Sequence, residues 1–311
     1  MHEIQKAILS AIVSVAALTS TAVLAEPVTF DRDKAVATIK ALSADEMTGR
    51  RTGTDGSAKA QAFLLSRIAD LKVDMVGPTH EHQFKFTTED DDGTKTAHVG
   101  TNLLFRIEGS DDTDKTIVIS AHYDHLGARD DEIYNGVDDN ASGVAGVLAV
   151  AEHFKANQPK NDVIFALFDA EEMGLQGARS FVRNIDRIDP NIAFNINFDM
   201  ISRSDKNELY VAGAFHRPML NTVIDAVAEK APVKLLKGHD DPELGANDWT
   251  FSSDHGPFHR ADVPFLYFGV EDHPHYHRPT DDFETVPVEF FLRSVETVVM
   301  AANKVDEQLA N

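Results

Sequence analysis

The chain predicts a three-layer α/β/α sandwich built on a mixed, mostly parallel sheet. Four short apolar runs alternate with segments of helical spacing: Thr116 to Ala121, Val163 to Phe168, Ile192 to Phe198 and Phe265 to Val270. Runs of that length, apolar on both sides of the pleat, read as strands covered by helices on both faces. Each run also leads, at its C-terminal end, towards a side chain able to hold a divalent metal, where an open α/β sheet places its ligands. These are His122, the Glu171-Glu172 pair, Asp199 and, further along its loop, His277. A fifth group, Gly136-Val137-Asp138-Asp139-Asn140, opens the helix after the first run.

The elements follow in order. Residues 1–25 read as a signal peptide: Lys6 gives a weakly basic start, Ala7 to Leu18 is mostly apolar, and Val-Leu-Ala precedes Glu26. That apolar stretch is too short to span a bilayer core of roughly 30 Å. With no cysteine in the chain, the expectation is a bacterial periplasmic or secreted protein stabilised by its core, without stable membrane insertion once the signal is cleaved. Residues 26–311 have a length that one α/β domain often takes.

Asp31 to Leu42 and Gly56 to Leu71 have helical spacing, with Ala60, Phe63, Leu64, Ile68 and Leu71 on one face, and Gly49 to Thr54 forms the loop between them. His82 to Phe86 alternates as a strand does, and Thr88 to Lys95 is an acidic turn before Leu103 to Ile107. Beyond this the pattern predicts strands at 116–122, 162–168, 192–199, 208–213, 233–237 and 264–270. Helices are expected at 141–156, 175–184, 217–231 and about 287–308. Lys237 to Asp248 is expected to be irregular surface.

The 29 basic and 51 acidic residues leave a net charge of −22, which argues against nucleic acid or an anionic membrane as partner. It also fits plain solubility. In His122-Tyr123-Asp124 the outer residues face the same side of a strand, so the Asp124 carboxylate can accept the second ring N–H of His122. Alone, the pair equally suits a structural hydrogen bond. Asp139 likewise suits an ordinary helix cap. Asn140-Ala141-Ser142 matches a glycosylation acceptor but falls at a buried position. Glu171-Glu172 is more specific, because adjacent carboxylates in a semi-buried site need a cation. Pointing in different directions, one can ligate while its neighbour holds a water. Of the three histidines in 273–277, His277 is singled out by Tyr276 before it and Asp281 or Asp282 after it. Trp249, Phe251 and Phe258 are candidates for a side-chain pocket or for packing.

The ordered set His122-x-Asp124, Gly136-x-x-Asp139-Asn140-x-Ser142-Gly143, Glu171-Glu172-x-Gly174-Leu175-x-Gly177, Asp199-Met200-Ile201, Ser253-Asp254-His255-x-Pro257-Phe258 and Tyr276-His277-x-Pro279-x-Asp281 resembles the family-28 metallopeptidases of clan MH. Gly49-Arg50 with Thr52-Gly53 resembles their N-terminal segment, so the likeness covers roughly residues 35–305. That family holds leucyl-type zinc aminopeptidases, glutamate carboxypeptidases and glutaminyl cyclases. The resemblance implies the zinc-exopeptidase fold and two Zn2+ ions about 3.5–4 Å apart. Asp139 would bridge the ions, His122 and Asp199 would serve one, and Glu172 and His277 the other. It further implies Glu171 as general base on a zinc-bridging water, Asp124 behind His122 and Tyr276 as oxyanion donor. The expected activity is an exported aminopeptidase acting on peptides. Glutaminyl cyclase with one zinc, a carboxypeptidase or dipeptidase, and a non-enzymatic receptor-like domain are the alternatives.

Overall fold

The computed structural model describes residues 28–310. The segment read as a signal peptide lies outside them. Helices α1 (Arg32–Leu42) and α2 (Asp55–Leu71) come first, each started by a side-chain cap: Asp31 accepts from the Lys34 N–H and Thr54 from the Ser57 N–H. Strands β1 (Asp74–Met75), β2 (Glu81–Glu89) and β3 (Lys95–Ile107) form the antiparallel edge of the sheet. Then follow β4 (Thr116–His122), the small hairpin β5 (Gly127–Arg129) with β6 (Glu132–Tyr134), α3 (Gly143–Ala156) and β7 (Asp162–Phe168). Next come α4 (Gln176–Arg183), α5 (Ile185–Ile188), β8 (Ile192–Phe198), β9 (Glu208–Ala212), α6 (Asn221–Ala228) and β10 (Lys234–Lys237). The chain ends with α7 (His255–Arg260), β11 (Phe265–Gly269) and α8 (Val288–Ala310).

One nine-stranded sheet results, in the order β1-β3-β7-β4-β8-β11-β9-β10 with β2 also paired to β3. Its centre, β7-β4-β8-β11, is parallel, and the flanking pairs β3-β7 and β11-β9 are antiparallel. Alternate residues feed opposite layers. Ile117, Ile119, Val163, Phe165 and Leu167 pack under α1, α2, α3 and α8, whereas Val118, Ile164, Ala166 and Phe168 pack under α4 and α7. Burial on both faces explains why these strands are continuously apolar in sequence. No helix among the described residues is long and apolar enough to cross a membrane.

Several elements depart from the sequence reading: β1, α5 and the β5–β6 hairpin were not expected, and β2 and β3 extend to Glu89 and back to Lys95, into the expected acidic turn. The helix expected at 217–231 shortens to α6 behind a turn at Pro218–Leu220, and the helix expected from 141 starts at Gly143. Short α7 is unforeseen, since Gly256 and Pro257 hide it from helical periodicity. It forms because Phe258 docks on Phe168 and Phe181, with ring centroids 6.2 and 5.6 Å away.

Candidate active site

The carboxyl ends of the four central parallel strands converge, and their order in the sheet sets which groups meet. His122 ends β4, Asp199 follows the neighbouring β8, and Glu171 and Glu172 follow β7 on the other side. Left-handed backbone at Ala170 (φ 58), Met200 (φ 61) and His277 (φ 53) bends the chain sharply beside three of these groups. Glu171, Glu172, Asp199 and His277 border a cleft of about 430 Å³.

Asp139 lies at the middle. It does not cap α3; Asn140 Oδ1 takes the Gly143 N–H instead, at 2.9 Å. The Asp139 carboxylate turns one oxygen to His122, 3.3 Å from Nε2, and the other to His277, 3.0 Å from Nε2. Asp199 Oδ1 approaches His122 Nε2 at 3.3 Å, and Glu172 Oε2 approaches His277 Nε2 at 3.5 Å. Two groups of donor atoms, each within 4.8 Å of one another, result: His122, Glu171 and Asp199, and His125, Asp139 and Glu172. The chain thus brings all five expected ligands together. It adds His125, which sequence reasoning missed although it stands three residues after His122.

Asp124 differs from expectation. Its carboxylate stands 3.6 Å from His122 Nδ1, while its backbone carbonyl is closer at 3.2 Å. The carboxylate accepts the N–H groups of Glu171 and Glu172 at 3.0 and 3.3 Å. It ties β4 to the turn after β7, because the adjacent strands end level and leave those two donors unpaired.

Neighbouring groups fix the Asp139 turn. Asp281 Oδ2 accepts the N–H groups of Asp138 and Asp139, and Asp138 pairs with His273 at 2.8 Å. His275 meets Thr280, which leaves His277 as the site member of the histidine run. Buried Arg50 donates to the carbonyls of Leu42, Tyr123, Asn135 and Gly136, joining both ligand-bearing segments. Asp254, in the Ser253-Asp254-His255 segment, is fully buried with neither carboxylate oxygen hydrogen-bonded.

Electrostatics follow from burial among acids. Burial raises Glu171 well above the usual carboxylate range; Asp199, Asp254 and Glu172 add to the shift and His122 opposes it. A carboxyl with such proton affinity is suited to taking up and returning a proton. Burial alone would lower His122, but Asp199 and Glu171 overcome it and the ring is held well above its ordinary value. Tyr276 borders the cleft with its ring stacked on His277, centroids 3.9 Å apart, and burial beside Asp139 raises its hydroxyl.

The three aromatic candidates separate. Trp249 lines the cleft, stacked on His239 at 3.6 Å, whereas Phe258 is core and Phe251 lies at the surface beneath Arg260. Tyr267 is a cleft residue the sequence did not mark, because it sits inside an apolar strand.

Mixed imidazole and carboxylate donors suit zinc. Buried donor atoms without hydrogen bonds, both ring nitrogens of His125 and Glu172 Oε1, fit a cation at this place. Fold and donor set together fit the class of zinc-dependent hydrolases. The profile of peptidase family M28 matches residues 102–302, and the chain belongs to that family.

Among curated proteins, the vacuolar membrane protease of Candida albicans (strain WO-1) is 33% identical over 132 residues, 42% of this chain and 14% of that protein. A probable zinc metalloprotease of Phaeosphaeria nodorum is 35% identical over 119 residues, 33% of this chain and 24% of that protein. The matches thus span a quarter or less of these relatives. Among solved structures, the zinc aminopeptidase of Bacillus subtilis superposes with TM-score 0.72 at 18% identity, covering 90% of this chain and 96% of that one. The glutaminyl cyclase of Bacteroides thetaiotaomicron gives TM-score 0.66 at 17% identity, covering 88% and 97%. At such identities the superpositions establish the fold.

The curated relatives correct the expected bacterial periplasmic or secreted location. They are fungal proteins, several of them named for a vacuolar membrane. An apolar stretch with a small-residue end specifies neither organism nor compartment, so it could not carry that reading.

Proposed function

We propose that residues 28–310 form one catalytic domain that removes N-terminal residues from peptides with two zinc ions. The observation that carries the reading is the charge of the cleft. Its charged lining is Asp139, Glu171, Glu172, Asp199 and Asp272 with His277, and no lysine or arginine among the described residues borders it. The arginines nearest in sequence are engaged or turned away: Arg203 donates to Thr285 and approaches Asp281, Arg260 covers Phe251, and Arg278 is exposed. With Asp139, Glu172 and Asp199 offset by the two ions, Glu171 and Asp272 remain to meet a substrate ammonium, and a substrate carboxylate finds no arginine clamp.

His122 and Asp199 would hold one ion, Glu172 and His277 the other, with Asp139 serving both. Zinc supplies Lewis acidity, which acidifies water and polarises a carbonyl. Glu171 takes the proton from the attacking water as the C–O bond forms, then gives it to the amine nitrogen as the C–N bond breaks. Asp124 keeps the β7 turn, and so Glu171, against β4. Tyr276 donates its hydroxyl hydrogen to the developing oxyanion, which its raised proton affinity permits without ionisation.

A free peptide, its N-acetylated form and its C-terminal amide, each incubated with zinc-loaded protein, test the assignment. Cleavage of the free and amidated peptides with none of the acetylated one is expected. The opposite pattern identifies a carboxypeptidase, and one bound zinc with cyclisation of glutaminyl peptides identifies a cyclase.

A further inference from the structure

His125 has no part in the roles given above, yet its surroundings are unusual. The side chain is completely buried, with Nδ1 2.7 Å from Glu172 Oε1 and 3.7 Å from Asp139 Oδ2. Despite that proximity, neither ring nitrogen nor Glu172 Oε1 makes a hydrogen bond. Buried polar atoms without a hydrogen bond are costly, so three together call for a further partner. Two electron-pair donors that converge without a hydrogen bond between them are arranged as atoms sharing a cation.

The backbone is shaped to admit this ring. Gly136 has φ 57°, and a Cβ there would stand 2.5 Å from the His125 ring carbons and 2.2 Å from the Asp139 carbonyl oxygen. Only glycine lets the Asp139 turn and the imidazole lie in contact. His277 faces the same two carboxylates from a loop, with its side chain 39% exposed. The two rings are 5.8 Å apart between centroids, so neither blocks the other.

We propose that His125 is a fourth protein donor to the second ion, beside Asp139, Glu172 and His277. The inference rests on the two-zinc reading and deepens it. Four protein donors close a zinc site, whereas three leave a position for water or substrate. The two ions are therefore unequal. The one at His125 is the tightly held anchor, and the one at His122, Asp139 and Asp199 keeps the open position.

The test is zinc release from the full-length protein by a chromophoric chelator, with elemental analysis, for wild type, His125→Ala and His125→Asn. Asparagine can keep a hydrogen bond to Glu172 but is a poor zinc ligand. Both variants should retain one ion and bind the second more weakly by more than the ~10–100-fold typical of losing an outer hydrogen-bond partner. X-ray absorption of the wild type should show more imidazole per zinc than that of His125→Asn. Wild-type affinity for both ions in His125→Ala, or full restoration by His125→Asn, overturns the proposal. A wild type that saturates at one ion refutes the two-zinc reading, and an unchanged release of that ion from His125→Ala then overturns the role of His125 as well.

Discussion

Arg50 offers the sharpest test of how the site is held. Its guanidinium is fully buried and donates to four backbone carbonyls, those of Leu42, Tyr123, Asn135 and Gly136. Burial lowers its pKa to about 10, with Asp139 and Asp124 opposing, so it remains a cation at neutral pH. Replacing it by alanine strands four buried acceptors. At the low end of ~1 kcal/mol for each, the loss is at least ~4 kcal/mol, before any cavity contribution. Against a domain stability of ~5–15 kcal/mol this removes a large fraction. Arg50→Lys keeps the charge but cannot fan out to four carbonyls, so about half of the loss should remain. Urea unfolding in the presence of chelator separates the effect from zinc binding. Tyr123 and Gly136 flank His122 and the Asp139 turn, so both variants should also bind zinc more weakly. An Arg50→Ala protein that unfolds within about 1 kcal/mol of wild type would show that these bonds contribute nothing net, and the reasoning from unsatisfied carbonyls would be wrong.

Two further outcomes are expected. Glu171→Gln should lower turnover by ~10²–10⁴-fold with zinc content unchanged; because Glu171 also lies within 4.8 Å of His122 and Asp199 donor atoms, zinc lost along with activity would make it a ligand instead. Asp254 is pushed up to about 8 by burial, with Asp124 and Asp199 adding and His122 opposing. Its folded pKa being raised, the stabilisation from holding the proton is complete below the ordinary aspartate range and is lost as pH rises through about 8. Asp254→Asn should therefore escape a decline that metal-free wild type shows as pH rises from the ordinary aspartate range to about 8. Parallel unfolding midpoints of the two proteins across that range would count against it.

The central strands were legible in the chain because parallel strands buried on both faces must be apolar throughout: β4 and β7 fall at 116–122 and 162–168 as read. Part of the site was legible for a related reason. Polar side chains just after such runs have no packing role, so His122, Glu171, Glu172 and Asp199 stood out, whereas Asp139 and His277 were singled out by the ordered motifs and their family resemblance. Tertiary structure alone decided the rest. His125 directly follows Asp124, three residues after His122, but that spacing does not reveal its partner: its meeting with Glu172 depends on β4 and β7 ending level. Asp124 supports the β7 turn more closely than the His122 ring, a choice fixed by which backbone donors the neighbouring strand leaves unpaired. Phe251 and Phe258, seven residues apart, went to surface and core because α7 turns between them. Sequence spacing determines which face of an element a side chain occupies; which partner it meets there depends on elements far away in the chain.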